Sequence, residues 1–279
     1  MRGQARDYDL WRQMGCDGWS WDDVLPLFRA SEDYYAGADA MHGAGGEWRV
    51  ETARLHWDIL DAFREAAAQY GIPKIEDFNR GDNEGSSYFK VNQKRGVRWN
   101  TVKAFLKPAA KRPNLSVRTG AQVRRLLIED GRVTGVEYET GGAVLRAACR
   151  AEVVLSAGAI GSPHILELSG IGGGRVLAQA GVETVVDRPA VGENLQDHLQ
   201  LRCAYKVSGI RTLNERASTM AGKMMIGLEY ALSRSGPMSM APSQLGVFTR
   251  SDPAFETANL QYHCLLYTSP SPRDKRQSR

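Results

Sequence analysis

The residues best suited to chemistry form a turn and a helix start directly after an apolar run. Residues 153–155 are all apolar and predict a buried strand over 152–156, followed by a turn of small residues. Ser162 is expected to cap the next helix, Pro163 to begin it and Gly170 to end it in the left-handed conformation. The N-terminus of such a helix favours anions, so the segment is suited to nucleotide phosphate. An ordinary strand–helix unit without a ligand has the same turn chemistry.

The composition shows no sign of a nucleic-acid or membrane-spanning protein. The chain has 279 residues with 36 basic and 32 acidic side chains, giving a formal charge of +4. Residues 264–279 hold four of the basic and one of the acidic side chains, so the remainder has a net charge of only +1. No basic block and no run of about 18 apolar residues occurs. Cys16, Cys149 and Cys203 lack C-x-x-C spacing and are expected to be buried thiols in a reducing compartment.

Hydrophobic periodicity predicts helices that alternate with groups of strands. Helices are expected over residues 21–31, 56–70 and 100–110, and the first carries a capping box formed by Ser20 and Asp23. The expected strands are residues 115–118, 123–129, 133–139, 144–149, 201–207, 245–249 and 260–263.

Glycine-containing pairs predict how these strands connect. Asp130-Gly131 and Gly141-Gly142 are expected hairpin turns, so residues 123–149 should form a β-meander. A long helical stretch rich in methionine runs from Met220 to Leu232, and its methionines are expected to be core residues.

Residues 158–172 also carry a family resemblance. Their sequence, Gly-Ala-Ile-Gly-Ser-Pro-His-Ile-Leu-Glu-Leu-Ser-Gly-Ile-Gly, resembles at every constrained position the second signature of the glucose-methanol-choline (GMC) oxidoreductases, which oxidise alcohols on bound FAD. Other segments resemble the same family in its order: residues 2–3, 7–11, 18–21, 24–26, 42–46, 98–101, 104–108, 112–115 and 191–198. The resemblance covers residues 1–263 almost continuously.

The resemblance implies an α/β fold with two kinds of sheet. One is an FAD-binding doubly wound sheet with an inserted β-meander, incomplete in this chain, and the other is the antiparallel sheet of an α+β substrate domain. The implied divisions are a flavin-lid and FAD-domain segment (1–35), a substrate-domain and connecting segment (36–97), a portion of the FAD-binding domain (98–200), the start of the C-terminal substrate domain (201–263) and a non-biological tail (264–279).

The resemblance also implies FAD as cofactor and three residues that bind it. Val123 matches a position whose backbone reaches the adenine, although a strand core residue would look the same. Ala157 and Gly158 match positions that line the same end of the nucleotide. A side chain at position 158 would fill space that a ribose or phosphate must approach. Arg2-Gly3 is expected to border the flavin-lid segment.

No catalytic residue is predicted within the chain. In the family the base is a histidine of the C-terminal part, which this chain is expected to lack. The five histidines do not match it and are expected to be surface or capping residues: His42, His56, His164, His198 and His263. Glu193, Asp197 and His198 resemble metal ligands, but adjacent side chains point apart and no second cluster completes a shell, so no metal is predicted.

Both ends of the chain are expected to be cut. No G-x-G-x-x-G phosphate loop occurs, and Met1 is interpreted as an internal start. Residues 264–274, Cys-Leu-Leu-Tyr-Thr-Ser-Pro-Ser-Pro-Arg-Asp, resemble a translated transposase sequencing adapter, and a natural disordered tail is the alternative.

The predicted function is that of a fragment of an FAD-dependent oxidoreductase. The parent enzyme is expected to oxidise a primary or secondary alcohol, choline-like or another small alcohol, by hydride transfer to flavin, and the fragment itself to be inactive. The alternatives are an FAD-containing lyase of the same fold and a non-catalytic truncated chain. A cytoplasmic location is expected, with peripheral membrane association left open. The electron acceptor, the choice between dehydrogenase and oxidase, and the oligomeric state are also left open.

Overall fold

A computed structural model describes residues 1–205, 207–210 and 212–264, which divide into two compact units. The first unit combines residues 1–115 with the described residues from 204 onward, and the second consists of residues 116–203. The tail beyond residue 264 lies outside the described residues. No helix in the described ranges is long and apolar enough to cross a membrane.

The described chain contains helices interspersed with groups of short strands. The helices are α1 (Ala5–Gln13), α2 (Trp21–Ser31), α3 (Asp58–Gln69), α4 (Lys107–Ala109, preceded by a wider π-helical turn at Val102–Leu106), α5 (Gly158–Leu168), α6 (Gly174–Gln179), α7 (Leu213–Arg216) and α8 (Met220–Ser233). The strands are β1 (Glu32–Tyr34), β2 (Trp48–Thr52), β3 (Gly85–Tyr88), β4 (Lys90–Val91), β5 (Gln93–Lys94), β6 (Val97–Arg98), β7 (Gln122–Glu129), β8 (Arg132–Thr140), β9 (Ala143–Ala148), β10 (Ile171–Gly172), β11 (Val186–Asp187), β12 (Leu245–Thr249) and β13 (Leu260–Cys264).

Local capping sets the start of α2, as predicted. The Ser20 hydroxyl accepts a hydrogen bond from the Asp23 N–H, while the Asp23 carboxylate accepts one from the Ser20 N–H at 3.0 Å. Two N–H groups that would lack helical partners are thereby satisfied. Trp21 and Val24 then point into the core of the first unit.

The first unit is organised around short sheets. Strand β2 pairs with β1 in parallel and with β4 in antiparallel orientation, and a separate antiparallel sheet has the order β13-β12-β3. The predicted strands 245–249 and 260–263 are confirmed by β12 and β13. Leu245 of β12 is fully buried and packs with Trp57 and Leu60, so α3 covers this part of the sheet.

Two expectations for the chain from residue 201 onward are wrong. The methionines of α8 do not form core: Met220, Met224 and Met225 are each at least 63% exposed, and Ile226 is the buried residue of the helix. Helical spacing identified the helix but not its buried face, because methionine is apolar enough for a core and is tolerated at a surface. The predicted strand 201–207 does not form in its described part: residues 201–205 and 207 belong to no strand and are exposed, and residue 206 lies outside the described residues.

The second unit contains the predicted meander. Strands β7, β8 and β9 form a three-stranded antiparallel sheet in that order. Asp130 and Gly131 have φ of +49° and +75°, which suits a two-residue hairpin turn, and Gly141 and Gly142 have φ of +57° and +79°. The predicted strand 115–118 does not form: these residues are exposed and follow a turn closed by the Leu115 N–H on the Arg112 carbonyl.

Candidate functional site

The candidate site is the N-terminal end of α5 in the second unit. The helix begins at Gly158, whose φ of +85° lies in the left-handed region that favours glycine. A Cβ placed on Gly158 would meet no other atom within 4 Å, so the space in front of this turn is open. Ala157 occupies the N-cap position, and both residues are exposed.

The helix starts earlier than the sequence predicted. Ser162 does not cap it and Pro163 is not its first residue; both lie inside α5. The Ser162 hydroxyl instead accepts a hydrogen bond from the Ala157 N–H at 3.0 Å, which closes the turn from within the helix. Pro163 has no N–H to bond to the Ala159 carbonyl and its ring crowds that carbonyl, yet the helix continues through it to Leu168.

The stretch leading into this turn also differs from expectation. Residues 152–156 were predicted to be a buried strand, but no strand forms there, and Val154 is 75% exposed. A strand buried on both faces needs neighbouring strands and covering helices. No described strand pairs with this stretch, so its apolar side chains remain in contact with solvent.

The far end of α5 is firmly anchored to β7. Ser169, the residue after the helix, accepts the Leu126 N–H at 2.8 Å and donates to the Ile165 carbonyl at 2.5 Å. Gly170 then has φ of +80°, which confirms the predicted left-handed end of the helix. A Cβ on Gly170 would lie 2.5 Å from the Glu183 carbonyl oxygen, so the chain passes here at a distance that only glycine permits.

Val123 lies in the same unit at the start of β7. It is half-buried and opposite Tyr138 of β8, and the register shifts between Val123 and Arg125, which is a β-bulge. Because β7 is the outer strand of its sheet, its second backbone edge pairs with no strand in the described residues. Val123 therefore lies on an edge strand of its sheet, and its role in cofactor binding stays a prediction.

The residues at the start of α5 fit the adenine end of a nucleotide. Gly158 leaves space for the ligand, and the first turn carries no acidic side chain that would repel a phosphate. The first N–H groups of a helix have no helical partner and bind anions. Beside the turn, Val154 and Ile160 are 75% and 74% exposed and offer apolar surface to a base or ribose.

A buried charged cluster in the first unit was missed by the sequence analysis. Arg2 Nη2 lies 2.6 Å from Glu32 Oε2, and the same oxygen lies 2.9 Å from His42 Nδ1. On the other side of the imidazole, His42 Nε2 lies 3.5 Å from Asp77 Oδ2, which also accepts the Tyr34 hydroxyl at 2.8 Å. The Tyr34 and His42 rings stack with centroids 3.8 Å apart. No sequence signal joins these residues, because they are distant in the chain.

The cluster shifts the pKa values of Glu32 and Tyr34. Burial alone would raise the pKa of Glu32, but hydrogen bonds from His42 and the Gly43 N–H, with the charge of Arg2, hold that pKa below its usual range. Burial and the hydrogen bond to Asp77 raise the pKa of Tyr34 well above its ordinary value. Glu32 is thus a charged structural acceptor with its oxygen already occupied.

The histidines lie in different surroundings from one another. The expectation that His42 is a surface or capping residue is wrong, because its side chain is fully buried. His56 is exposed and lies 2.9 Å from Asp61, His164 and His198 are exposed, and His263 stacks on Phe89. No group of three or more His, Cys, Asp or Glu residues that could hold a metal occurs among the described residues.

The cysteines are all unpaired in the described chain. Cys149 and Cys264 are partly buried, whereas Cys16 and Cys203 are exposed, so the expectation of buried thiols is wrong for these two. Burial raises the pKa of the Cys264 thiol to about 11.

Comparison with known proteins gives a consistent result. The profile of the family described as GMC oxidoreductase matches residues 1–200. The chain is 38% identical over 268 residues, 95% of its length, to oxygen-dependent choline dehydrogenase of Photobacterium profundum, covering 47% of that protein. It is 37% identical over 265 residues, again 95% of its length, to mitochondrial choline dehydrogenase of Homo sapiens, covering 44% of that protein. The chain thus spans about half the length of the curated relatives it matches.

The fold is also shared with a solved structure. An FAD-dependent oxidoreductase from Chaetomium thermophilum superposes with a TM-score of 0.79 at 23% identity, over 89% of this chain and 46% of that one. This likeness confirms the fold class predicted from the sequence.

Proposed function

The chain belongs to the GMC oxidoreductase family, and we propose that it is part of an FAD-dependent enzyme that oxidises a small primary or secondary alcohol. The family match over residues 1–200 carries this proposal. FAD is the cofactor of the family. Both relatives described above are named choline dehydrogenases, which supports a choline-like alcohol as the substrate. The electron acceptor is left unassigned.

Val123, Ala157 and Gly158 are proposed to hold the adenine end of FAD. Gly158 gives the ligand access to the first N–H groups of α5, where the helix dipole favours a ribose or phosphate oxygen. Ala157 lines the turn with a small side chain, and Val123 offers its main chain from the edge of β7. Bound FAD supplies the acceptor for the hydride that leaves the alcohol carbon.

No histidine of this chain is assigned as the base that accepts the proton of the substrate hydroxyl. A general base must come within hydrogen-bond reach of that proton. His42 is fully buried and held by Glu32, and His56 is engaged by Asp61 on the surface. We therefore propose that the chain by itself does not turn over alcohol. Arg2, whose guanidinium is committed to Glu32, is proposed to border the flavin-lid segment as a positioning residue.

The proposed location is the cytoplasm. The cysteines of the described chain are all unpaired, which supports a reducing compartment. The name of the human relative places that protein in mitochondria.

The cofactor assignment is tested by comparing Gly158→Asn with Gly142→Asn. Asn tolerates positive φ, so each change adds a side chain with little backbone strain. Gly142 lies in the hairpin turn between β8 and β9, has φ of +79°, and a Cβ on it would meet no other atom within 4 Å, so it matches Gly158 in the sign of φ and in open surroundings. We expect flavin fluorescence titration to show binding by the unchanged chain and by Gly142→Asn, and a Kd at least about tenfold higher for Gly158→Asn.

Two results would overturn the assignment. One is equal weakening by both substitutions, or no weakening by Gly158→Asn. The other is the absence of binding by the unchanged chain at ~1 mM FAD. Half-saturation at that concentration needs only ~4 kcal/mol of binding free energy. The proposed inactivity is checked separately with choline and an artificial electron acceptor, where turnover by the chain alone would contradict it.

A further inference from the structure

A pocket of about 590 Å³ in the first unit is lined by cations. It is bounded by the β5–β6 hairpin, the turn that leads into α4, and the end of α8. The Trp99 ring forms one wall of the pocket. Its charged side chains are Lys94, Arg95, Lys103, Lys107 and Arg234. No Asp or Glu is among the described residues that line it.

A glycine contact builds this pocket from two distant parts of the chain. Gly96 has φ of +75°, and a Cβ on it would lie 2.0 Å from the Arg234 carbonyl oxygen, so only glycine lets the end of α8 approach the hairpin. The Tyr230 hydroxyl donates to the Gly96 carbonyl at 3.3 Å across 134 positions of sequence. Gln93 Nε2 donates to the buried Ser239 carbonyl at 2.5 Å and fixes the same approach.

Two of the lining arginines have strained backbones. Arg95 and Arg234 have φ of +53° and +54°, and among the described non-glycine residues only Asp130 and Asn194 share such values. Asp and Asn enter this region more easily than long side chains do, and the usual cost is about 1 kcal/mol for each residue. Arg95 lies in the turn between β5 and β6, and Arg234 ends α8 in the left-handed conformation, so both values belong to the turn and the helix end that border the pocket.

The five cationic side chains of the pocket form no ion pair among the described residues. None of these cationic groups lies within ion-pair distance of a carboxylate in the part of the chain that the structure describes. The Glu51 carboxylate accepts the Arg95 main-chain N–H at 3.0 Å and forms its ion pair with Arg49. Lys94 Nζ lies 4.9 Å from the centre of the Trp99 ring, and Lys103 Nζ donates to a main-chain carbonyl at 2.7 Å. Neither contact neutralises a charge, so these two cations remain charged and unpaired at the pocket.

We propose that this pocket binds a compact small-molecule polyanion that carries phosphoryl or carboxylate groups. Its volume is in the range of small-molecule sites. The guanidinium and ammonium groups of its five cationic lining residues are proposed to form charge-assisted hydrogen bonds to clustered oxygens. The near-neutral charge of the chain outside residues 264–279 favours a small ligand over a long polyanion such as nucleic acid.

The test is calorimetric titration of the full chain with inorganic pyrophosphate and, separately, with citrate at constant ionic strength. Arg95→Asn removes one charge with a residue that accepts positive φ, and Lys107→Gln removes another from an exposed helical position. Lys223→Gln is the matched control, because it lies on α8 ~16 Å along the helix from Arg234, beyond the ~10 Å Debye length at 0.1 M salt.

We expect saturable binding of at least one anion, a Kd about tenfold higher for Arg95→Asn and Lys107→Gln, and no change for Lys223→Gln. Tighter binding of pyrophosphate would assign the phosphoryl class, and tighter binding of citrate the carboxylate class. The proposal is overturned if neither anion gives saturable heat, or if Lys223→Gln weakens binding as much as the pocket variants. If circular dichroism shows that Arg95→Asn is unfolded, Lys107→Gln decides alone.

Discussion

Replacement of Glu32 by Gln tests how much the buried cluster contributes to the stability of the first unit. The Arg2 and Glu32 side chains are only 8% and 7% exposed, and their charged atoms lie 2.6 Å apart. Gln keeps the shape of Glu32 but leaves the Arg2 charge buried without a carboxylate. Removal of one partner from a buried pair costs about 3–5 kcal/mol of unfolding free energy, and we expect a loss in that range.

The assay is urea unfolding followed by tryptophan fluorescence. All six tryptophans lie within residues 1–115, so this signal reports the first unit alone. The control is Glu256→Gln, because Glu256 pairs with Arg6 at 4.0 Å and the two side chains are 89% and 54% exposed. An exposed pair contributes little, so this change should cost about 0.5 kcal/mol or less. A cost below about 1 kcal/mol for Glu32→Gln, or equal costs for both, would refute the reasoning.

The pH dependence of the same variant gives an independent check. The pKa of Glu32 is lower in the folded chain than its usual value of 4.5, so its charge stabilises the fold fully above that value. This contribution is lost as the pH falls through the lower folded pKa. The stability difference between the unchanged chain and Glu32→Gln should therefore be constant near pH 7 and shrink below about pH 4.5. A difference that grows on acidification would contradict this assignment.

Two further predictions concern close packing and thiol reactivity. Gly170→Ala should cost more than about 2 kcal/mol, because its Cβ would lie 2.5 Å from a carbonyl oxygen, whereas Gly181→Ala, with φ of +71° and open space, should cost about 1 kcal/mol. Urea unfolding followed by circular dichroism measures both, and equal costs would contradict the steric argument. With its pKa raised to about 11 by burial, Cys264 should react with iodoacetamide at pH 8 more slowly than the exposed Cys16 and Cys203, and faster as the pH rises. Peptide mass spectrometry measures these rates, and equal rates at pH 8 would be inconsistent with a buried thiol.

Features set by neighbouring residues could be predicted from the sequence. Ser20 and Asp23 cap α2 through each other, and the turn at Asp130 and Gly131 fixes the hairpin between β7 and β8. Gly170 ends α5 because the left-handed conformation is local to that residue. In each case the physical cause lies within a few positions of the residue concerned.

Features that depend on distant partners could not be predicted in the same way. The apolar residues 152–156 are compatible with a buried strand, but a strand also needs neighbours, which no local pattern specifies. His42 is buried because Glu32 and Asp77 come from other segments to hold its two nitrogens. At the candidate site, the turn at Gly158 was predicted correctly, but the start of the helix was not. The Ser162 hydroxyl could either cap a helix or accept a hydrogen bond within a turn, and the sequence did not distinguish the two.

The antiparallel sheet β13-β12-β3 sets the order in which this protein can mature on the ribosome. Its first strand leaves the exit tunnel long before its partner: Arg250 next to β12 bonds Glu84 next to β3 across 166 positions. At ~5–20 residues per second, that gap takes roughly ten to thirty seconds of synthesis. During that interval the contiguous residues 116–203 can complete their own hairpins, whereas β3 waits without its central partner. The strand of this sheet that is made first is thus among the last to be paired, and holdase chaperones should engage the nascent chain there.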